Sequence, residues 1–264
     1  MCGCKRYLKY NLFEMKNLLK KVAVLAVAGC MVFPVKAQEE KGVCFEVGGD
    51  FVSSYVWRGF YQGAQACLQP TLSVGYQGLS LTAWGSTSLA DVAEGHKEVD
   101  LTLAYEFGGF TVQVADMWWD GQDDHRYFHY DNHVTGHHFE AGISYELPFE
   151  KFPLSLSWYT MFAGDDKKDL SPEHEYGKQA YSSYAELNYP FVVKGMDLQA
   201  TFGFVPYRSE TGVGYDVSGF AVTNVALKAT KEIRFSKRFS MPLFVNLIAN
   251  PAHEDVHLVF GLSI

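Results

Sequence analysis

From residue 43 onward, apolar and polar positions alternate along most of the chain with a period of two. In Val99-Asp100-Leu101-Thr102-Leu103-Ala104-Tyr105-Glu106-Phe107 the odd positions are apolar and the even ones polar or small. Residues 139–147 and 256–264 repeat the pattern. Side chains of an extended strand point alternately to opposite faces, so each run is predicted to be a strand with one apolar face. No run of apolar residues after the leader is long enough for a membrane-spanning helix.

Short and long connections alternate between the runs. Gln77-Gly78, Gly108-Gly109 and Lys194-Gly195 are tight-turn signals, and residues 148–153 and 235–238 mark two further short links. Longer polar stretches fall at 58–66, 88–97, 120–137, 164–179, 207–216 and 250–255. Short turns alternating with long loops are the layout of an outer-membrane barrel. The predicted fold is all-β: an antiparallel transmembrane β-barrel of about twelve strands, an even number as such barrels require. The strands are predicted to begin near 43, 67, 79, 97, 110, 138, 154, 180, 197, 217, 239 and 256.

Composition supports a membrane barrel over a soluble sandwich. Aromatic residues make up 16% of the chain, and Tyr55, Trp57, Tyr76, Tyr105, Phe107, Trp118, Trp158, Tyr159, Tyr181 and Tyr189 are predicted to form interfacial girdles. The other face carries Asp50, Glu98, Asp100, Glu140, Glu146 and Glu186, which a wet lumen solvates and a small sandwich core does not. Inward Gly48, Gly75, Gly142 and Gly261 are expected to leave space for an aqueous path. Two residues break the pattern. Asp116 falls on the apolar register, where a bulge is expected to turn it inward, and Trp84 falls on the polar one.

The first 37 residues are predicted to be an upstream extension followed by a signal peptide starting at Met15, leaving residues 38–264 as one barrel. Lys16, Lys20 and Lys21 precede an apolar stretch, and Val35-Lys36-Ala37 supplies a cleavage site. Val27-Ala28-Gly29-Cys30 offers a competing lipoprotein box with Cys30 as the acylated residue. Of 22 Lys/Arg and 30 Asp/Glu, seven and one lie in residues 1–37, so 15 basic and 29 acidic side chains remain. So acidic a chain is a poor ligand for nucleic acid, whose affinity depends on cations meeting phosphates. The expected partners are outer-membrane lipids and small solutes, with the Gram-negative outer membrane as the location. Cys44 and Cys67 fall near opposite ends of neighbouring strands, which favours two free thiols over a disulfide.

The stretch Asp50-Phe51-Val52-Ser53-Ser54-Tyr55-Val56-Trp57-Arg58-Gly59-Phe60, with Gln69-Pro70-Thr71-Leu72 and Leu81-Thr82-Ala83-Trp84-Gly85-Ser86, resembles the TorF-like porin family. Glu98-Val99-Asp100-Leu101, Tyr105 and the Asp116 region extend the resemblance to about residue 120. Ser54 and Trp57 stand where that family frequently has an acidic and an aromatic or basic residue. The resemblance implies an outer-membrane porin, of a family whose substrates are weakly defined.

Glu46, Asp50, Arg58, Glu98, Asp100, Glu140 and Glu186 are the candidate pore-lining residues. Arg58 is expected on the face of Asp50 in one strand, opposite Glu98 or Asp100, either as a charge at the pore mouth or as a bracing ion pair. The surplus of inner carboxylates predicts a weakly cation-preferring lumen. His125, His129, His133 and His137 recur every four residues among Asp120, Asp123, Asp124 and Asp131. That loop is expected to be a solvated surface loop, a constriction folded into the mouth, or a metal site. Asp165-Asp166-Lys167-Lys168-Asp169 reads as a solvated loop. No cofactor motif is present, and His138 with Ser144 or Ser183 is a weak candidate for a lipid-modifying pair. The chain is therefore expected to be a passive channel and not an enzyme. Its alternatives are a non-conducting structural or ligand-binding barrel and, remotely, a lipid-modifying barrel enzyme.

Overall fold

The computed structural model describes residues 42–63, 65–90, 97–120, 126–131, 135–149, 152–171, 177–209, 215–236 and 239–264. The signal peptide, its alternative at Cys30 and the upstream extension lie outside the described residues. The strands are β1 (Cys44–Val52), β2 (Tyr55–Trp57), β3 (Phe60–Gly63), β4 (Cys67–Tyr76), β5 (Leu79–Ser88), β6 (Lys97–Phe107), β7 (Phe110–Asp120) and β8 (His137–Glu146). They continue with β9 (Ser155–Gly164), β10 (Lys167–Lys168), β11 (Lys178–Gln179), β12 (Ser183–Val193), β13 (Met196–Val205), β14 (Ala221–Arg234), β15 (Ser240–Asn250) and β16 (Asp255–Ser263).

Twelve of these form a closed antiparallel barrel in the order β1-β16-β15-β14-β13-β12-β9-β8-β7-β6-β5-β4. Two small ribbons, β2-β3 and β10-β11, stand apart from it. Closure is made where the first barrel strand meets the last, with Asp50 opposite Ser263 and Val52 opposite Gly261. Gly49 and Ile264 exchange two backbone hydrogen bonds at 2.9 and 3.1 Å and extend this seam. Every predicted strand start lies within four residues of an observed one. The turns follow the turn chemistry of the sequence. Gln77 and Gly78 (φ 49° and 83°) and Lys194 and Gly195 (φ 51° and 75°) adopt the paired left-handed geometry that suits two-residue hairpins.

The outer wall is apolar, with Leu72, Leu81, Leu103, Val114, Ile143, Leu227, Leu247 and Leu258 all exposed. Near the turn end Tyr105, Phe107, Phe110 and Tyr145 make a continuous ladder of ring contacts 4.3 to 5.8 Å apart. Tyr55, Trp57 and Tyr159 are not part of any girdle. They are buried inside the barrel at 6%, 3% and 1% exposure. Nor do Gly142 and Gly261 leave open space. A Cβ at Gly142 would lie 2.6 Å from the Tyr159 ring, and one at Gly261 would lie 1.9 Å from that of Phe244. Each glycine makes room for an aromatic ring of the next strand. Cys44 and Cys67 are free, the first exposed and the second buried. Cys44 pairs in register with Gly75 and Cys67 with Val52, at opposite ends of the β1-β4 pair.

Asp116 corrects another expectation. The β7 ladder runs unbroken past it, with Leu101 on one side and Phe139 on the other, so no bulge turns it inward. It stays on the outer wall because the β7-β8 connection brings partners to it. His137 Nδ1 lies 2.6 Å from Asp116 Oδ1, and the Tyr130 hydroxyl donates to Oδ2 at 3.2 Å. His137 Nε2 donates to the Tyr127 carbonyl, which only accepts, at 2.5 Å. The Tyr130 ring stacks on His137 at 4.1 Å. A carboxylate on an apolar wall is thus paired and covered. Substituting His137→Ala removes its main partner and is expected to lower the unfolding free energy in a denaturant titration by about 2–4 kcal/mol. The double substitution Asp116→Leu with His137→Phe is expected to recover most of that loss.

Candidate functional site

The connection between β1 and β4 is a second hairpin that folds into the barrel. Its strands, β2 and β3, pair through Val56 with Tyr61 and Trp57 with Phe60. Arg58 and Gly59 form the tip with φ of 53° and 88°, the same paired left-handed geometry as the turns at the other end. Gly59 is required by contact as well as by φ. A Cβ there would come 1.8 Å from the Thr223 carbonyl oxygen of β14. The Asn250 amide donates to the Gly59 carbonyl at 3.2 Å and fixes the tip to β15.

At the tip the Arg58 guanidinium is 2% exposed and meets Glu140, which is fully buried. One terminal nitrogen lies 2.7 Å from Glu140 Oε2 and the other donates to Oε1 at 2.9 Å, a two-pronged pair. Arg58 also donates to the Tyr215 hydroxyl at 2.7 Å. Its planar head lies 4.4 Å from the Trp57 ring, 4.8 Å from Tyr159 and 4.7 Å from Tyr184. Aromatic faces carry negative potential, so the cage adds attraction to the carboxylate. Tyr215 in turn stacks on Trp57 at 5.8 Å, and its carbonyl lies 3.1 Å from His253 Nε2. Around the cage the Tyr184 hydroxyl donates to Glu186 at 2.8 Å and receives the Asn224 amide at 3.0 Å. The hairpin is therefore held in a dense network that narrows the lumen at the loop end.

Beneath it lies a cavity of about 130 Å³. It reaches from Arg58 and Gly59 at the hairpin to Ser80, Glu106 and Thr111 beside the tight turns. Its charged lining is Asp50, Asp100, Glu106 and Glu186 against Arg58 and Lys228. Lys228 sits 4.3 Å above the Phe244 ring.

The predicted lining residues separate into groups. Asp50, Arg58, Asp100 and Glu186 border the cavity. Glu140 is drawn away into the Arg58 pair, Glu98 is buried opposite Trp119 and Ser86, and Glu46 is exposed. Arg58 does not continue the β1 strand of Asp50, and its guanidinium meets Glu140 and Tyr215. The reason is that β1 ends at Val52, residues 53–54 bend, and the chain continues as the separate β2-β3 hairpin whose tip is Arg58-Gly59. Tyr184, Tyr215 and Lys228 were not singled out by the sequence, and Tyr159 was expected in a girdle. The one available signal was Gly after Arg58 between apolar-alternating residues, a hairpin mark weaker than Asn-Gly.

His125 and His133 lie outside the described residues. His129 faces Arg126 at 3.2 Å, and both ring nitrogens of His137 are engaged by Asp116 and Tyr127. The described residues contain no group of three metal-ligating side chains. The described part of the loop packs on the outer wall, and the segment inside the barrel is the β2-β3 hairpin. The 165–169 stretch is not simply solvated either. Asp166 is fully buried and accepts from the Ser182 hydroxyl at 2.5 Å, the Ser182 amide at 2.9 Å and Gln179 at 3.0 Å. Ser183 bonds Thr160 and Tyr207, while His138 packs on Trp119 at 4.2 Å, so this serine and histidine are engaged elsewhere.

No protein-family model matches the sequence, and no curated protein matches it. Among solved structures, a KdgM porin is similar at a TM-score of 0.44 and 7% sequence identity, with 83% of this chain and 98% of that chain covered.

The Arg58–Glu140 pair is expected to couple strongly. In a double-substitution cycle with Arg58→Met and Glu140→Gln, either single change is expected to cost about 3 kcal/mol and the coupling to exceed about 1.5 kcal/mol. Denaturant unfolding of the four proteins gives both values.

Proposed function

We propose that this chain is an outer-membrane β-barrel of the porin kind, a passive channel for small solutes narrowed by its inward hairpin. The observation that carries this reading is a cavity bordered by charged side chains inside a closed barrel whose outer wall is apolar. An apolar wall closed without edges is what lipid requires of a strand-built span, and a polar interior is what water and solutes require. The long connections then face outside the cell and the tight turns face the periplasm. The chain reaches the Gram-negative outer membrane through its cleaved leader. The resemblance of residues 50–120 to the TorF-like porin family agrees with this assignment.

The charge of the lumen sets its preference. Four carboxylates border the cavity against two cations, and Arg58 is already balanced by Glu140. Such a lining raises the local concentration of small cations and disfavours anions. One observation favours a second reading. The loop end is filled by the Arg58 cage and by rings seated on glycines, as in a non-conducting barrel whose lumen charges lock a plug.

Refolded protein in a planar bilayer separates the two readings. The channel is expected to show small, cation-preferring steps, and Arg58→Ala, which frees the hairpin, is expected to enlarge them severalfold. Silence in both proteins overturns the channel and leaves the locked barrel. A reversal potential in a salt gradient that favours anions overturns the charge preference.

A further inference from the structure

Charged side chains are rare on the outward register of the barrel strands. Among the described residues they are Lys97 on β6, Asp116 and Asp120 on β7, and Lys231 on β14. Three of them are answered within the chain. Lys97 Nζ lies 3.5 Å from Asp120 Oδ2, and Asp116 is met by His137 at 2.6 Å. Lys231 is the exception. It is exposed, stands opposite Leu243 in the β14-β15 ladder, and has no hydrogen bond or ion pair among the described residues. Its neighbour Glu232 belongs to the inward register with Lys228 and Thr230, and its carboxylate accepts from the Ser240 hydroxyl.

The height of Lys231 on the barrel fixes what surrounds it. Asp197 stands opposite the buried Thr230, so Met196, the first residue of β13, lies beside Lys231. Before Met196 the chain turns at Lys194-Gly195, closed by the Val193–Met196 pair. Lys231 is therefore at the turn-end margin of the apolar wall, and its flexible stem lets the ammonium reach the boundary with water. Lys194 adds a second exposed cation at this margin. It holds a left-handed position (φ 51°) where two-residue turns favour Asn, Asp or Gly. The carboxylates nearest in the ladders, Asp197 and Glu232, serve the lumen face. On the other side of the barrel the same margin carries the rings of Tyr105, Phe107, Phe110 and Tyr145. At the edge of a lipid-embedded wall the abundant counter-ion for such a pair of ammonium groups is a headgroup phosphate. A zwitterionic headgroup brings its own cation, so an anionic one is favoured.

We infer that Lys231 and Lys194 form a site on the outer rim of the turn end for the phosphate of an anionic phospholipid. The inference rests on the membrane placement of the barrel and does not depend on whether its lumen conducts.

Phosphatidylglycerol and phosphatidylcholine with the same acyl chains are the probes. The refolded full chain in non-ionic detergent is titrated with each, and retained lipid is counted by native mass spectrometry. One phosphatidylglycerol per chain is expected, held at least about tenfold more tightly than phosphatidylcholine, at about fivefold per lysine. Lys231→Gln is expected to weaken phosphatidylglycerol about fivefold, while Lys168→Gln, on β10 at the loop end, leaves it unchanged. Lys194→Gln, with the same expected loss, carries the test should Lys231→Gln fail to refold, judged by its β-sheet circular dichroism. Equal retention of the two lipids, or unchanged retention of phosphatidylglycerol in Lys231→Gln, overturns the site. Displacement of the lipid by inorganic phosphate at equal concentration also overturns it, since the pair then takes free phosphate. Insertion into phosphatidylcholine vesicles is read separately. Failure to insert overturns the membrane placement itself, whereas insertion without selective retention overturns the site alone.

Discussion

The rest of the lumen is organised by the cost of burying the Arg58 guanidinium. A permanent cation cannot neutralise itself by losing a proton, so once out of water it must be met by charge and by hydrogen-bond acceptors. Glu140 supplies the charge in a two-pronged pair, and Tyr215 supplies a further acceptor. Trp57, Tyr159 and Tyr184 close around the head. These rings are large, and they fit inside a barrel of twelve strands only because the adjoining wall is cut back. Gly142 stands under Tyr159, and Gly203 under the Tyr184 hydroxyl. One buried cation, its carboxylate and the glycines that admit its cage therefore narrow the loop end above the cavity.

The outer wall shows the same physics in a different setting. Asp116 remains on the apolar face and is stabilised there by His137 and Tyr130. In both places an ionised group in a poor solvent is tolerated because a loop returns to it with complementary charge and aromatic cover. Inside, that loop is the β2-β3 hairpin. Outside, it is the segment around Tyr127 and Tyr130. The two long connections are thus structural elements of the barrel, one in the lumen and one on the wall.

The barrel itself was legible because its period-two pattern and its turn residues act locally. Gln77-Gly78 or Lys194-Gly195 needs only its own backbone to announce a reversal. The assignment of Trp84, Asp100 and Glu186 to the inner face follows from the same alternation. What stayed hidden depends on contacts between distant residues. Arg58 and Glu140 are 82 positions apart, and Arg58 and Tyr215 are 157 apart. Alternation gives Tyr159 an odd position among other aromatics, without revealing that this ring turns to fill the space above Gly142. The same limit explains Asp116. Its misfit was plain in the pattern, while its remedy lay in His137 and Tyr130, reached only through the fold.

Hydrogen–deuterium exchange of the refolded, membrane-embedded protein tests most directly whether the β2-β3 hairpin is a fixed part of the lumen. Amides of residues 55–61 are expected to exchange as slowly as those of the barrel strands and to lose that protection in Arg58→Ala. Exchange of the hairpin in the native protein at the rate of an unstructured peptide would contradict the account.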